Sequence, residues 1–330
     1  MNDNQVVSLK NNSKIAYLAR EITNFAGRGS ATTEKIAMTL KEIKLTAGIK
    51  SLKFLEQAHI TQFIEKLKTS DMSLSSKNSY ISSINNIVKY LNKDGLQTIK
   101  ASAYGLTRNL AAGDGVNKEN TRESAEAFKT FLNEKYERTG DIRYLALRQA
   151  VSIQLAAGLR LRESLQVKLL NKDLSQNVLT LARKGDGAKN SRAREINLNS
   201  EQKQAVIEAR QFLKDNHLIN LNSGTLKQGR AFANHTVEKF NKETGGNFHF
   251  HGERHQFAHE SYKAGWERAG YNVVECRART GETKEAWTAR ILERTGLSKA
   301  EFQTIDKSIR QDLSRLLGHE RIEATYRYLG

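Results

Sequence analysis

Apolar residues return at intervals of three and four along nearly the whole of this 330-residue chain, and in one region only does the interval shorten to two. The longer interval marks helices with one buried face, the shorter one a strand with one buried face. The chain is therefore expected to be mainly α with a small antiparallel β-hairpin. The helical period is clearest in SKNSYISSINNIVKYLNKDG (76–95), where Ile81, Ile84, Ile87, Val88 and Leu91 share a face and Asn92 and Gly95 supply stop signals. Segments 14–25, 33–47 and 61–68 behave alike, so 13–110 reads as a small helical bundle behind a flexible N-terminus, 1–12. AAGDGVNKENTR (111–122) combines turn-forming residues and charge without a period, and is the expected linker to a second domain, 123–330. Proline is absent, so loops must be read from Gly, Asn, Asp and Ser alone.

Beyond the linker, helical patterns return over 125–136 and 144–157. Segments 178–183 and 193–198 then read as two short strands flanking KGDGAKNS, a hairpin, after which helices resume. Lys and Arg number 53 against 36 Asp and Glu, a formal charge of +17. Residues 1–120 hold 17 basic and 10 acidic residues, and 121–330 hold 36 and 26. Both halves are basic, as a clamp closing on a DNA duplex from two sides requires. Solvated Lys-rich helix faces give the same count, so charge alone establishes no chemistry. The single cysteine, Cys276, excludes a disulfide framework and a multi-thiolate zinc site, and fits a reducing cytosol. The polar opening MNDNQVVSLKNN and the lack of any run near the roughly 18 apolar residues of a membrane span point to a soluble, cytoplasmic protein. No GxxxxGK[ST] occurs, which disfavours an ATP-driven motor.

Four separated segments carry reactive groups. In AGLRLRESL (157–165), Arg160 follows a helix-ending Gly and Glu163 lies three residues on, where a carboxylate can hold a guanidinium rigid as a phosphate fork. Standing alone, the pair is as readily a surface ion pair. The hairpin carries Lys184 and, five residues on, Lys189; either ammonium can enter a DNA groove and protonate a leaving oxygen, and either can be an ordinary solvated turn lysine. FHFHGERHQFA (248–258) sets His251, Arg254 and His255 in an H-x-x-R-H arrangement able to reach one phosphate and accept a proton. His249, His251, His255 and His259 also crowd this segment, so a metal site and plain packing stand beside that reading. LLGHERIEATYRYLG (316–330) ends the chain, with His319 after a Gly and Tyr328 nine residues later. A phenol with a free pKa near 10 needs a cationic pocket or a base before it can attack phosphorus.

Together, and in this order, the four segments resemble the tyrosine recombinase (phage integrase) family. GLRLRESL is similar to its first arginine box, the lysine hairpin to its catalytic hairpin, HGERHQFA to its H-x-x-R-H box, and LLGH with T-x-x-Y to its terminal box. The resemblance implies an α+β catalytic domain behind a helical, DNA-binding core-binding domain (13–110). It implies DNA cleavage and rejoining through a 3′-phosphotyrosyl link, with no metal or nucleotide cofactor. Tyr328 would be the nucleophile, Arg160 and Arg254 would bind the scissile phosphate, and Lys184 would be the general acid. His251 would be the base near the tyrosine and His319 a phosphate donor, with Glu163 and His255 in support. The implied partners are double-stranded DNA, a homotetramer on two synapsed duplexes, and accessory DNA-bending proteins.

Departures from the family pattern are also visible. His251 and His319 stand 68 residues apart, far more than the pattern requires, so a segment at about 271–307 reads as an insertion that contacts DNA, a neighbouring protomer or nothing. The chain stops two residues after Tyr328, where many relatives continue into a helix that docks on a neighbour. Lys189 remains the alternative acid and Tyr326 the alternative nucleophile. A type IB topoisomerase and a DNA-binding protein that has lost turnover remain the competing functions.

Overall fold

The computed structural model describes residues 8–27, 30–106, 120–171, 173–181, 193–217, 225–272, 282–319 and 321–329. The chain divides into two compact units, 1–112 and 113–330.

The first unit is a helical bundle: α1 (Asn12–Phe25), α2 (Ser30–Ala47), α3 (Gln57–Thr69) and α4 (Leu74–Leu91), with 3-10 turns at Leu52–Phe54 and Ala101–Tyr104. Local chemistry sets the ends. Asn11 caps α1 by accepting from the Lys14 N–H at 2.9 Å, and Ser73 caps α4 by accepting from that of Ser76 at 3.3 Å. Asn92 closes α4 in the left-handed region, φ 42°, a conformation its short polar side chain tolerates. Ile81, Ile84, Ile87, Val88 and Leu91 are all buried, as their spacing predicts. The expected flexible N-terminus is corrected over residues 8–12. Leu9 is wholly buried in this core, its N–H donates to the Lys50 carbonyl at 2.9 Å, and Ser8 bridges to Ser51. Residues 1–7 lie outside the described residues.

The second unit runs α5 (Arg122–Thr139), α6 (Arg143–Ala157), α7 (Leu161–Gln166), a 3-10 turn (Leu169–Asn171), β1 (Val178–Leu181), β2 (Arg194–Asn197), α8 (Ser200–Asp215), α9 (Leu226–Thr244), α10 (Phe250–Arg268), α11 (Lys284–Thr295), α12 (Lys299–Leu316), a 3-10 turn (Ile322–Ala324) and α13 (Tyr326–Leu329). β1 and β2 pair antiparallel, Val178 with Asn197 through to Leu181 with Arg194. β2 is shorter than the sequence pattern suggests, and residues 182–183 and the loop with Lys184 and Lys189 lie outside the described residues, as does Cys276. The expected linker contributes its last residues to this unit: Asn120 is buried, and Thr121 caps α5 by accepting from Ser124 N–H at 3.1 Å.

Aromatic packing encloses α10. Phe128 stacks on Phe248 with centroids 4.2 Å apart at one end, and Trp266 stacks on Phe302 at 5.4 Å at the other. Trp287 meets Phe302 edge-on at 5.8 Å. The described part of the expected insertion is therefore helical and folds back on its own unit, burying Trp287, Ile291 and Phe302 in the core. Among the described residues no helix is long and apolar enough to cross a membrane.

Candidate active site

The site is assembled where α6 ends. Gly158 closes α6 at φ +58°, and a Cβ there would lie 2.3 Å from the Phe257 ring, so only glycine allows α6 and α10 to approach this closely. The turn sets Arg160 just ahead of α7, and Glu163 reaches back to it. The Glu163 carboxylate accepts from the Arg160 backbone N–H at 2.8 Å and from its Nη1 at 2.8 Å. Arg194, entering from β2, donates Nη1 and Nη2 to the same carboxylate at 3.1 and 2.7 Å. Burial of Glu163 would raise its pKa; the Arg194 hydrogen bonds, the charges of Arg194 and Arg160 and the Arg160 backbone N–H outweigh that and bring it down to about 2. The other terminal nitrogen of Arg160, Nη2, lies 3.4 Å from the Leu317 carbonyl and 3.4 Å from His319 Nε2.

Arg254 sits one turn into α10 and is fully buried. Its Nη1 donates to the Gly158 carbonyl and its Nη2 to that of Leu317, while Nε donates to the Tyr328 hydroxyl at 3.0 Å. Burial, opposed by Tyr328 and reinforced by Arg160, lowers its pKa to about 10, which leaves it cationic at neutral pH. His251, exposed at the start of the same helix, is pushed well below the usual histidine range by the protein around its ring and by the charges of His255, Arg254, His249 and Arg160. It is therefore neutral at pH 7.

The C-terminal segment closes the site. Gly318, φ +62°, turns the chain after α12 and delivers His319, whose Nε2 stands 3.4 Å from Arg254 Nη2 and 3.4 Å from the Tyr328 hydroxyl. Tyr328 is buried in the one-turn α13, and its backbone carbonyl is held by His259 Nε2 at 2.5 Å and His255 Nδ1 at 3.4 Å. The histidine-rich face of α10 thus grips the main chain of the tyrosine, while His249 Nδ1 donates to Asn120 Oδ1 at 2.9 Å. Two guanidinium groups, an imidazole and a phenol converge here, a grouping suited to an anionic phosphorus centre.

Residues 121–270 match the phage integrase family. That stretch lies within the second unit. The whole chain is similar in fold to the integrase of transposon Tn1549 solved with circular intermediate DNA, at 17% identity and TM-score 0.53, covering 96% of this chain and 95% of that one. It is also similar to the lambda integrase tetramer bound to a Holliday junction, at 14% identity and TM-score 0.53, covering 99% of this chain and 78% of that one. No curated protein matches the sequence.

Of the residues singled out in the sequence, Arg160, Glu163, His251, Arg254, His255, His319 and Tyr328 lie together in the second unit. Lys184 and Lys189 fall outside the described residues. Tyr326, the alternative nucleophile, is exposed, with its ring 4.6 Å from the Arg310 guanidinium rather than among the site arginines. The histidine expected beside the phenol, His251, stands with its ring centroid 5.6 Å from that of Tyr328; the His319 centroid is at 5.9 Å, with its Nε2 3.4 Å from the hydroxyl. Two residues were not anticipated from the sequence, Arg194 and Asn120, while His259, weighed there for a metal site or packing, holds the Tyr328 carbonyl. Only Arg194 carried a usable signal, a charge placed by strand alternation on the same face as buried Ile196.

Proposed function

We propose that this chain is a site-specific DNA recombinase of the integrase type that breaks and rejoins DNA through a 3′-phosphotyrosyl intermediate, acting in the cytoplasm on a mobile element. One observation carries the reading: the Tyr328 hydroxyl lies within 3.4 Å of both Arg254 Nε and His319 Nε2. A phenol so placed has a cation to stabilise its developing charge and an imidazole to take its proton. The Tyr328 oxygen bonds to the scissile phosphorus as the bond from phosphorus to the 5′-oxygen breaks. The phenolic proton passes to His319, with His251 the second acceptor, and the departing 5′-oxygen takes a proton from Lys184 or Lys189. Arg160 and Arg254 offset the negative charge that builds on the nonbridging oxygens, which dominates phosphoryl transfer. Because the phosphodiester is exchanged for a phosphotyrosine, a second strand's 5′-hydroxyl reverses the step without an external energy source.

Both units being basic suits a clamp around duplex DNA, with 1–112 as the core-binding unit. The lambda integrase relative forms a tetramer on a Holliday junction, and a tetramer on synapsed duplexes is the assembly proposed here.

The test uses the full chain and nicked suicide duplexes bearing a site recovered by binding selection from a random-sequence pool. Wild type should form a covalent adduct that survives denaturing electrophoresis, and Tyr328→Phe should abolish it while binding stays within a few-fold. An adduct persisting in that variant would move the nucleophile to another residue. Tight binding by wild type with no adduct would make the chain a DNA-binding protein, and relaxation of plasmids lacking the site would make it a topoisomerase.

A further inference from the structure

We propose that Arg194 is a positioning residue of the cleavage site: by pairing with Glu163 it cancels that carboxylate's charge and leaves the Arg160 guanidinium with its positive charge undiminished for the scissile phosphate. The inference rests on the recombinase reading above and deepens it.

The geometry is that of one carboxylate shared by two arginines. Glu163 is wholly buried and receives four hydrogen bonds, two from Arg160 and two from Arg194, so each carboxylate oxygen is satisfied from both sides. With Arg160 alone, the buried ion pair would be neutral, and a nearby phosphate would meet a guanidinium already offset by its own support. With Arg194 added, the cluster carries one net positive charge. The two arginines differ in access. The Arg160 side chain is 20% exposed, against 5% for that of Arg194, so the surplus charge is presented through Arg160.

Arg194 also lies under the turn that delivers His319. A Cβ on Gly318 would come within 2.9 Å of Arg194 Nη1, so the absence of a side chain at 318 lets that turn close over the guanidinium. One side chain, rooted at the start of β2, thus pairs with Glu163 beneath that turn. A bidentate planar fork is required for this, which a lysine supplies only in part.

The experiment compares single-turnover cleavage of the suicide duplex by wild type, Arg194→Gln, Arg194→Lys, Glu163→Gln and the double variant Glu163→Gln/Arg194→Gln. Saturating protein is used throughout, with DNA binding and thermal midpoint recorded for each. Arg194→Gln should cut about 100-fold more slowly, the scale of losing one oriented charge donor, and Arg194→Lys should fall between it and wild type. The double variant should recover at least about tenfold over Arg194→Gln, because removing the carboxylate's charge as well leaves Arg160 unopposed once more. On a duplex with a methylphosphonate at the scissile position, where one nonbridging charge is already gone, Arg194→Gln should lie within about tenfold of wild type.

Wild-type rates in Arg194→Gln would overturn the proposal. Equal losses on both substrates with no recovery in the double variant would also overturn it, reducing Arg194 to structural support. Should Arg194→Gln fail to fold, the double variant read against Glu163→Gln decides, since the proposal requires the two to cut alike. Wild type forming an adduct that Tyr328→Phe lacks keeps the recombinase reading intact whichever way Arg194 falls.

Discussion

Glu253 and Arg254 are adjacent in sequence, equally buried, and opposite in how the fold treats their charge. Arg254 finds two carbonyls and a phenol, whereas among the described residues Glu253 has one hydrogen-bond partner, the Asn120 amide at 2.7 Å, and its Oε2 has none. Burial raises the Glu253 pKa to about 7, against the lowering effects of the Asn120 hydrogen bond and Lys129. A carboxyl whose folded pKa exceeds its unfolded value of 4.5 destabilises the fold as pH rises between the two, because the unfolded chain ionises first. Glu253→Gln should therefore leave stability unchanged near pH 4 and raise it by up to about 3 kcal/mol above pH 7, measured by urea unfolding at both pH values. Identical shifts at the two pH values would show that Glu253 is not the titrating group. At this scale the sequence is legible where a residue type and its spacing already imply a use, as for Arg160, Arg254, His319 and Tyr328. It is silent on Asn120, which looks like a linker residue. Its partners, His249 and Glu253, lie 129 and 133 positions away, and only the folded chain brings them to it. Arg194 is the intermediate case: its strand face is legible, its carboxylate partner is not.

Elements were legible in proportion to their length. Helices of three to five turns repeat a buried face often enough for the period to show, and α4 and α6 follow it closely. α7 and α13 are one or two turns long, too short to stand as helices without tertiary support. Each exists because a longer element holds it: α7 through Glu163 and Arg194, α13 through His255 and His259 on α10. The segment 271–307 was legible as helical but not in its destination, since Trp287 and Phe302 could equally have faced a partner. What aligns these pieces is the junction of α6 with α10 at Gly158. Gly158→Ala would combine a left-handed backbone carrying a Cβ with an overlap on Phe257, costing roughly 2–6 kcal/mol. That loss should appear as a lowered thermal midpoint together with loss of adduct formation. A stable variant with normal cleavage would mean that α6 and α10 tolerate separation, and that the arginines are aligned by something other than this contact.

Over the whole molecule the governing quantity is charge. A surplus of 17 positive charges spread over both halves is read here as the footprint of a duplex, yet Lys-rich helices in solvent would carry the same surplus. Salt separates the two. If the chain neutralises several phosphates, binding releases their counterions, and for six to ten contacts affinity should fall about 10³–10⁵-fold between 50 and 200 mM salt. Fluorescence anisotropy with the full chain and its selected duplex measures that slope directly. Cleavage should respond differently. Once the duplex is saturated, the proposed chemistry rests on buried Tyr328 and Arg254 and half-buried Arg160, whose interactions are screened less than those of surface charges. Single-turnover adduct formation at saturating protein should therefore change only a few-fold over the same range. A flat binding curve would return the surplus to solvated helix faces. A steep fall in the saturated cleavage rate would instead mean that surface charge, rather than the enclosed arginine pair, supplies the pull on the phosphate.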